Sequence, residues 1–229
     1  MKRLPFLIGI GLLLLSCGGE EEEPITGSIM EFEHVDEGYS LKGQPEVVKK
    51  FFLLNPEMIG EDFCYDHVFT QELILGDAEA DEWHRYEVDE SCNYLLIDNQ
   101  ECYTSLEFKL IKQKKKVYAY LMQSGKNFQR FEFLELNKET NRWERGEEIP
   151  YPELTTYFDD LSEEETGLVQ DHGYQYAYMK PCVDTISFLF SSWQIGMELM
   201  DSEVEFEREA DRKFFMLLEK GEFKVSARN

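Results

Sequence analysis

The feature that most constrains this chain is a change of period at Cys92. From there on, apolar residues recur at every second position, the repeat of a strand whose successive side chains face opposite sides of a sheet. In CYTSLEFKLIK, Thr104, Leu106, Phe108 and Leu110 share one face. In KVYAYLMQ, Val117, Ala119 and Leu121 share one face and Tyr118, Tyr120 and Met122 the other. A strand that is apolar on both faces has no wet side, so this one is predicted to be central and covered twice. Lys112 to Lys116 form a polar hairpin tip between the two, and FQRFEFLELN and NRWERG form another hairpin around Lys138-Glu139-Thr140.

The alternation returns after Gly173. Tyr174, Tyr176 and Tyr178 alternate, then Ile186, Phe188 and Phe190, then Trp193, Ile195, Met197 and Leu199. Val204 and Phe206 alternate with Glu203, Glu205 and Glu207. Phe214, Met216 and Leu218 lead to a turn at Lys220-Gly221, and Phe223, Val225 and Ala227 follow it. Short strands joined by short turns argue an antiparallel sheet. Two meanders, near 92–145 and 174–228, predict a mainly β fold with minor α (α+β): a sandwich, or one strongly coiled sheet.

Helical spacing is confined to short stretches. QPEVVKKFFLLNPE predicts a short N-terminal helix over 45–54, with Pro45 in its first turn and Asn55-Pro56 at its exit. DHVFTQELILG (66–76) predicts a second, with Asp66 as N-cap. PELTTYFDDL reads as a helical turn, and Ser162 with Glu165 fits a capping box for a helix that Gly173 ends. The stretch LELNKETNRWERGEEIPYP resembles the end of a kelch repeat. It occurs once, without the glycine pair or the repeated period, and is read as a hairpin. With 42% hydrophobic and 14% aromatic residues, 44–229 is expected to form a single β-rich globular domain.

The N-terminus has a different logic. Lys2 and Arg3 precede an apolar run of 12 residues, Leu4 to Leu15. A bilayer-spanning helix needs about 20, whereas a secretory apolar region needs about 7–15. The run ends at Leu14-Leu15-Ser16-Cys17, which resembles the lipobox of bacterial lipoproteins. That resemblance implies that residues 1–16 are a signal peptide, that the Cys17 thiol is acylated, and that the chain is cut just before it. Several acyl chains on one residue make a firm tether, since each buried CH₂ contributes about 0.8 kcal/mol. Residues 17–43 would then be an acidic tether and lead-in. GGEEEEP resembles the acidic export signal of surface lipoproteins in the Bacteroidota, which implies the bacterial cell envelope, the outer membrane and surface exposure.

The formal charge is −24, from 47 acidic and 23 basic residues. Loss of Lys2 and Arg3 leaves 23 − 2 = 21 basic residues and a net charge of −26. So acidic a body repels nucleic acid, and no nucleic-acid partner is expected. Of five cysteines, four remain once Cys17 carries lipid, and in an exported protein they permit two disulfides in any of three connectivities. Cys92 and Cys102 are nearest in sequence, flanking an apparent turn at Asp98-Asn99, and are the candidate pair. Buried free thiols are the alternative.

Sites of chemistry are few. Asp77, Glu79 and Asp81 occupy positions 1, 3 and 5 of an EF-hand-like loop, but Glu82 stands where glycine belongs and Val88 where the distal glutamate belongs. They are weak metal candidates, and a solvated acidic turn accounts for them. Tyr174, Tyr176 and Tyr178 would form an aromatic platform for stacking on sugars or peptides if exposed, or a cross-strand packing row if covered. GxSxG, HExxH, P-loop and GxGxxG motifs are absent, so no catalytic residue and no cofactor is assigned. The expectation is a membrane-tethered envelope lipoprotein that binds an envelope protein or glycan through a non-catalytic β domain. The alternative is an envelope hydrolase using paired carboxylates.

Overall fold

The computed structural model describes residues 41–59, 74, 83–126, 128–199, 206 and 208–228. The doubly apolar strand is where sequence and structure meet most directly. It becomes β4 (Lys116–Gly125), third from one edge of a six-stranded sheet, and Tyr118 through Gln123 are all buried. The other strands of this sheet 1 are β1 (His84–Asp89), β2 (Tyr94–Asn99), β3 (Thr104–Gln113), β5 (Phe128–Asn137) and β6 (Arg142–Arg145). They pair antiparallel in chain order, as a meander of tight turns requires.

One face of sheet 1 carries Leu106, Phe108, Leu110, Ala119, Leu121 and Leu134. Against it lies α1 (Glu46–Phe51), whose Val47, Val48 and Phe51 are buried. Each such side chain contributes about 1.5–3 kcal/mol on burial. Trp143 of β6 joins this layer and donates its indole N–H to the Lys50 carbonyl at 2.7 Å. The Lys50 carbonyl also accepts from the Leu53 N–H at 3.2 Å, so the indole is its second donor and ties the end of α1 to sheet 1.

The opposite face meets a second, four-stranded antiparallel sheet. Its strands are β7 (Tyr174–Met179), β8 (Thr185–Ser191), β9 (Lys213–Glu219) and β10 (Glu222–Arg228), in the order β10-β9-β8-β7. Tyr118, Tyr120, Met122, Phe131 and Phe133 of sheet 1 form one core with Ala177, Met179, Ile186, Phe188, Met216 and Leu218 of sheet 2. The mainly antiparallel β architecture is as the alternation predicts, with sheet 1 covered on both faces. Between the sheets in sequence, α2 (Glu163–His172) begins at the expected capping box. Ser162 Oγ accepts from Glu165 N and the Glu165 carboxylate accepts from Ser162 N. Gly173 ends it, at a place where a Cβ would collide with the Val169 carbonyl.

Two expectations change. β1 escaped the sequence reading, because only Tyr86 and Val88 alternate in it. The row Trp193, Ile195, Met197, Leu199 is not a strand: Trp193–Glu198 is a helix, α3. Ile195 and Leu199, four apart, pack on the core, while Trp193 and Met197, also four apart, face solvent. Over so few residues the two periods coincide, and burial decides. The 66–76 helix lies outside the described residues except for Ile74, which is helical and buried. The strand carrying Glu203, Glu205 and Glu207 lies outside them too. No described helix is long and apolar enough to cross a membrane.

Candidate functional site

The tyrosine row lies on β7, an edge strand. Pairing with β8 sets Tyr174, Tyr176 and Tyr178 opposite Ser191, Leu189 and Ser187 on one face, while Ala177 and Met179 enter the core on the other. Tyr178 is 45% exposed and the other two are half-buried. The row is thus open at Tyr178 and half-covered at Tyr174 and Tyr176.

The position of that edge follows from sheet 1. The Gln129 carboxamide of β5 donates to the Ala177 carbonyl at 2.9 Å and accepts from the Ala177 N–H at 2.6 Å. A side-chain amide thus completes both edge-facing backbone groups of Ala177. The edge of β7 stands on sheet 1, and Tyr178 at the end of its tyrosine row lies close enough to Tyr94 of β2 to act on that hydroxyl electrostatically.

The surroundings of Tyr94 on sheet 1 are polar and aromatic. Glu107 of β3 is half-buried, and its row continues through Leu96 to Glu87 on one side and Met122 on the other. The Tyr94 hydroxyl donates to Glu107 Oε2 at 2.6 Å. Burial pushes the Glu107 carboxyl above its ordinary value, against the downward pull of that bond. Burial likewise raises the Tyr94 hydroxyl, helped by Glu107, Glu87 and Tyr178 nearby. Glu87, Glu107 and Tyr178 thus all act on the Tyr94 hydroxyl, and Glu107 is in direct contact with it. At the other end of the tyrosine row Tyr174 accepts from the Gln129 backbone N–H, which partly offsets the rise caused by burial.

Two devices fix this geometry. Lys109 of β3 is buried, directly opposite Tyr94 and Tyr120 in the sheet. Its ammonium donates to the carbonyls of Lys180 (3.3 Å) and Val183 and pairs with Asp184 at 3.3 Å. Burial lowers its pKa, and Asp184 acts in the opposite sense. The second device is a disulfide between Cys92, in the β1–β2 turn, and Cys182 in the same β7–β8 loop. Both tie residues 180–184 to sheet 1.

The expected Cys92–Cys102 bridge is thus replaced. Asp98 and Asn99 belong to β2 rather than to a turn, and the two cysteines lie beyond opposite ends of that strand, about 20 Å apart. A disulfide needs Cα atoms within about 7 Å. Cys102 is disulfide-bonded as well, but not to Cys92. Asp89, beside Cys92 and Cys182, resembles a third metal ligand. The two sulfurs are bonded to each other and offer no thiolate, and the Asp89 carboxylate caps the turn by accepting from Ser91 Oγ and Cys92 N. Asp77, Glu79, Asp81 and Cys17 lie outside the described residues.

Lys109 and Glu107 were missed because they alternate with Leu106, Phe108 and Leu110 and so read as the wet face of β3. The signal was in the neighbour: Tyr120 belongs to a strand covered twice, and whatever covers Tyr120 covers its cross-strand partner Lys109. No protein-family model matches this chain, and no curated protein or solved structure matches it significantly.

Proposed function

We propose that this chain is an envelope lipoprotein, anchored by lipid on Cys17, whose β-rich body binds neutral glycan at the tyrosine face of β7 beside Tyr94 and Glu107 of sheet 1. The observation that carries the binding site is the half-exposed Tyr178 beside the Tyr94–Glu107 hydrogen bond. An aromatic face offers a stacking surface for the C–H side of a sugar ring. Glu87 and Glu107 offer acceptors for its hydroxyls, and their charge turns away anionic chains. The lipobox resemblance supports the anchor. A disulfide across the fold supports export to an oxidising compartment.

A second reading has its own observation. Glu87 and Glu107 lie in one row two strands apart, a backbone separation of about 10 Å. Their carboxyl groups then fall near the separation of about 6.5–9.5 Å used by inverting glycosidases. The raised carboxyl of Glu107 suits a general acid.

One set of measurements separates these. Titration against a panel of neutral oligosaccharides should show binding that Tyr178→Ala weakens about tenfold, the weight of one stacked aromatic contact. Conversion of any of those sugars, lost in Glu107→Gln, would establish the hydrolase. A panel without binders would sink the glycan site. For the anchor, Cys17→Ala should abolish acylation and free the chain from membranes. Unchanged membrane retention would sink it.

A further inference from the structure

β10 is an edge strand of unusual openness. Among the described residues it pairs only with β9, and of its seven residues only Phe223 is less than exposed. Sheet edges are templates for another strand, and proteins commonly blunt them with proline, a bulge or a short strand. β10 has none of these: EFKVSAR contains no proline, and its register with β9 is unbroken from Glu222 to Arg228.

The charges along this hairpin form an incomplete pattern. Lys213 stands directly opposite Arg228, and Glu219 directly opposite Glu222. Like charges facing each other across a ladder are destabilising. The basic pair lies at one end of the strand and the acidic pair, of which Glu219 already pairs with Lys224, at the other, so the two ends are opposite in sign and Glu222 is left without an ion pair of its own among the described residues.

We propose that β10 pairs antiparallel with β10 of a second copy of this chain, about a two-fold axis at Val225. In this register Glu222 faces the partner's Arg228 at both ends, Phe223 faces Ala227, Lys224 faces Ser226, and Val225 faces itself. Each row at the ends of the joint then reads basic, basic, acidic, acidic across the two copies. The hydrogen-bond parity agrees. Lys220 (φ 56°) and Gly221 (φ 88°) make a two-residue turn of the mirror-image type, which closes on Glu219 and Glu222 as a bonded pair. Backbone groups of Glu222, Lys224, Ser226 and Arg228 therefore point at β9. Those of Phe223, Val225 and Ala227 point outward, where the two-fold sets them against the partner's Ala227, Val225 and Phe223.

Shifting the axis by one residue keeps the parity but loses the charge match. Centred on Lys224 it sets Lys224 against itself, and centred on Ser226 it sets Lys224 against Arg228. The favoured register also uses the whole strand and is self-complementary, as a two-fold interface must be. The product is a continuous eight-stranded sheet.

The test is sedimentation equilibrium of the full chain carrying Cys17→Ala. A monomer–dimer equilibrium is expected. Glu222→Arg or Arg228→Glu alone should raise the dissociation constant about tenfold, since each sets two like-charged pairs into the joint. Mixing the two variants, or combining both changes in one chain, should restore the affinity. Hydrogen exchange of the unaltered strand adds a readout that needs no charge variant: protection of Phe223, Val225 and Ala227 amides should rise with protein concentration. A monomer at every concentration overturns the proposal. So does a dimer indifferent to both reversals, or protection that does not depend on concentration.

Discussion

Sheet 2 has two edges, and the molecule treats them in opposite ways. The β7 edge is closed: Gln129 occupies the outward N–H and C=O of Ala177, Lys109 gathers the carbonyls of the loop that follows, and Cys182 is bonded to Cys92. The β10 edge carries no such covering among the described residues. The lesson is that an edge is not made harmless by the sheet it belongs to. It is made so by specific side chains arriving from elsewhere: among the described residues, those of sheet 1 occupy outward backbone groups of β7, whereas Gln113 reaches only Leu218 of β9 and the Gly221 turn and leaves the outer edge of β10 open. The side chains that anchor β7 also hold the end of its tyrosine row near Tyr94 of sheet 1.

Removing the parts of the closed edge should rank them. Cys182→Ser opens a link spanning 90 residues and should cost about 4 kcal/mol on the chain-entropy account, read as a fall in the urea midpoint under oxidising conditions. Lys109→Met keeps the bulk but removes the charged donor from two part-buried carbonyls of the 180–184 loop, at about 2–3 kcal/mol. It should also change the near-ultraviolet signal of the tyrosines around it. A loss below about 0.5 kcal/mol would show that the loop is held by the disulfide alone. Gln129→Ala frees both edge groups of Ala177 and should cost about 1–2 kcal/mol. Hydrogen exchange would then show the Ala177 amide opening while the β8 and β9 amides stay slow.

The smallest effect is a pH dependence beside that edge. Burial raises the folded-state pKa of Glu107 above its ordinary 4.5. Its contribution is therefore fully present below the unfolded value and declines as pH rises through the folded value. One proton sets the limit of that slope, about 1.4 kcal/mol per pH unit. Glu107→Gln should flatten this limb in a series of unfolding midpoints. A slope unchanged by the substitution would place the carboxyl in open solvent.

What the sequence made legible, and what it did not, divides along a physical line. β3, β4, β9 and β10, the Lys220-Gly221 turn and the Ser162 capping box were readable because each is decided by residues a few positions apart. The Trp193 segment was not, since six residues fit either period and only the burial of Ile195 chooses. Nor was the Cys92–Cys182 bond, which depends on two sheets meeting. For the site, the tyrosine row of β7 could be read from spacing. Its neighbours Glu87, Tyr94 and Glu107 could not, because they reach it through the packing of one sheet against another.

The buried ammonium of Lys109 has a consequence for how the chain acquires its covalent link. The carbonyls it gathers belong to Lys180 and Val183, which flank Cys182 on either side. In the folded chain that grip holds Cys182 on sheet 1 beside Cys92, while Cys102 lies beyond the other end of β2. The fold itself therefore presents Cys182, and not Cys102, to Cys92 at high effective concentration.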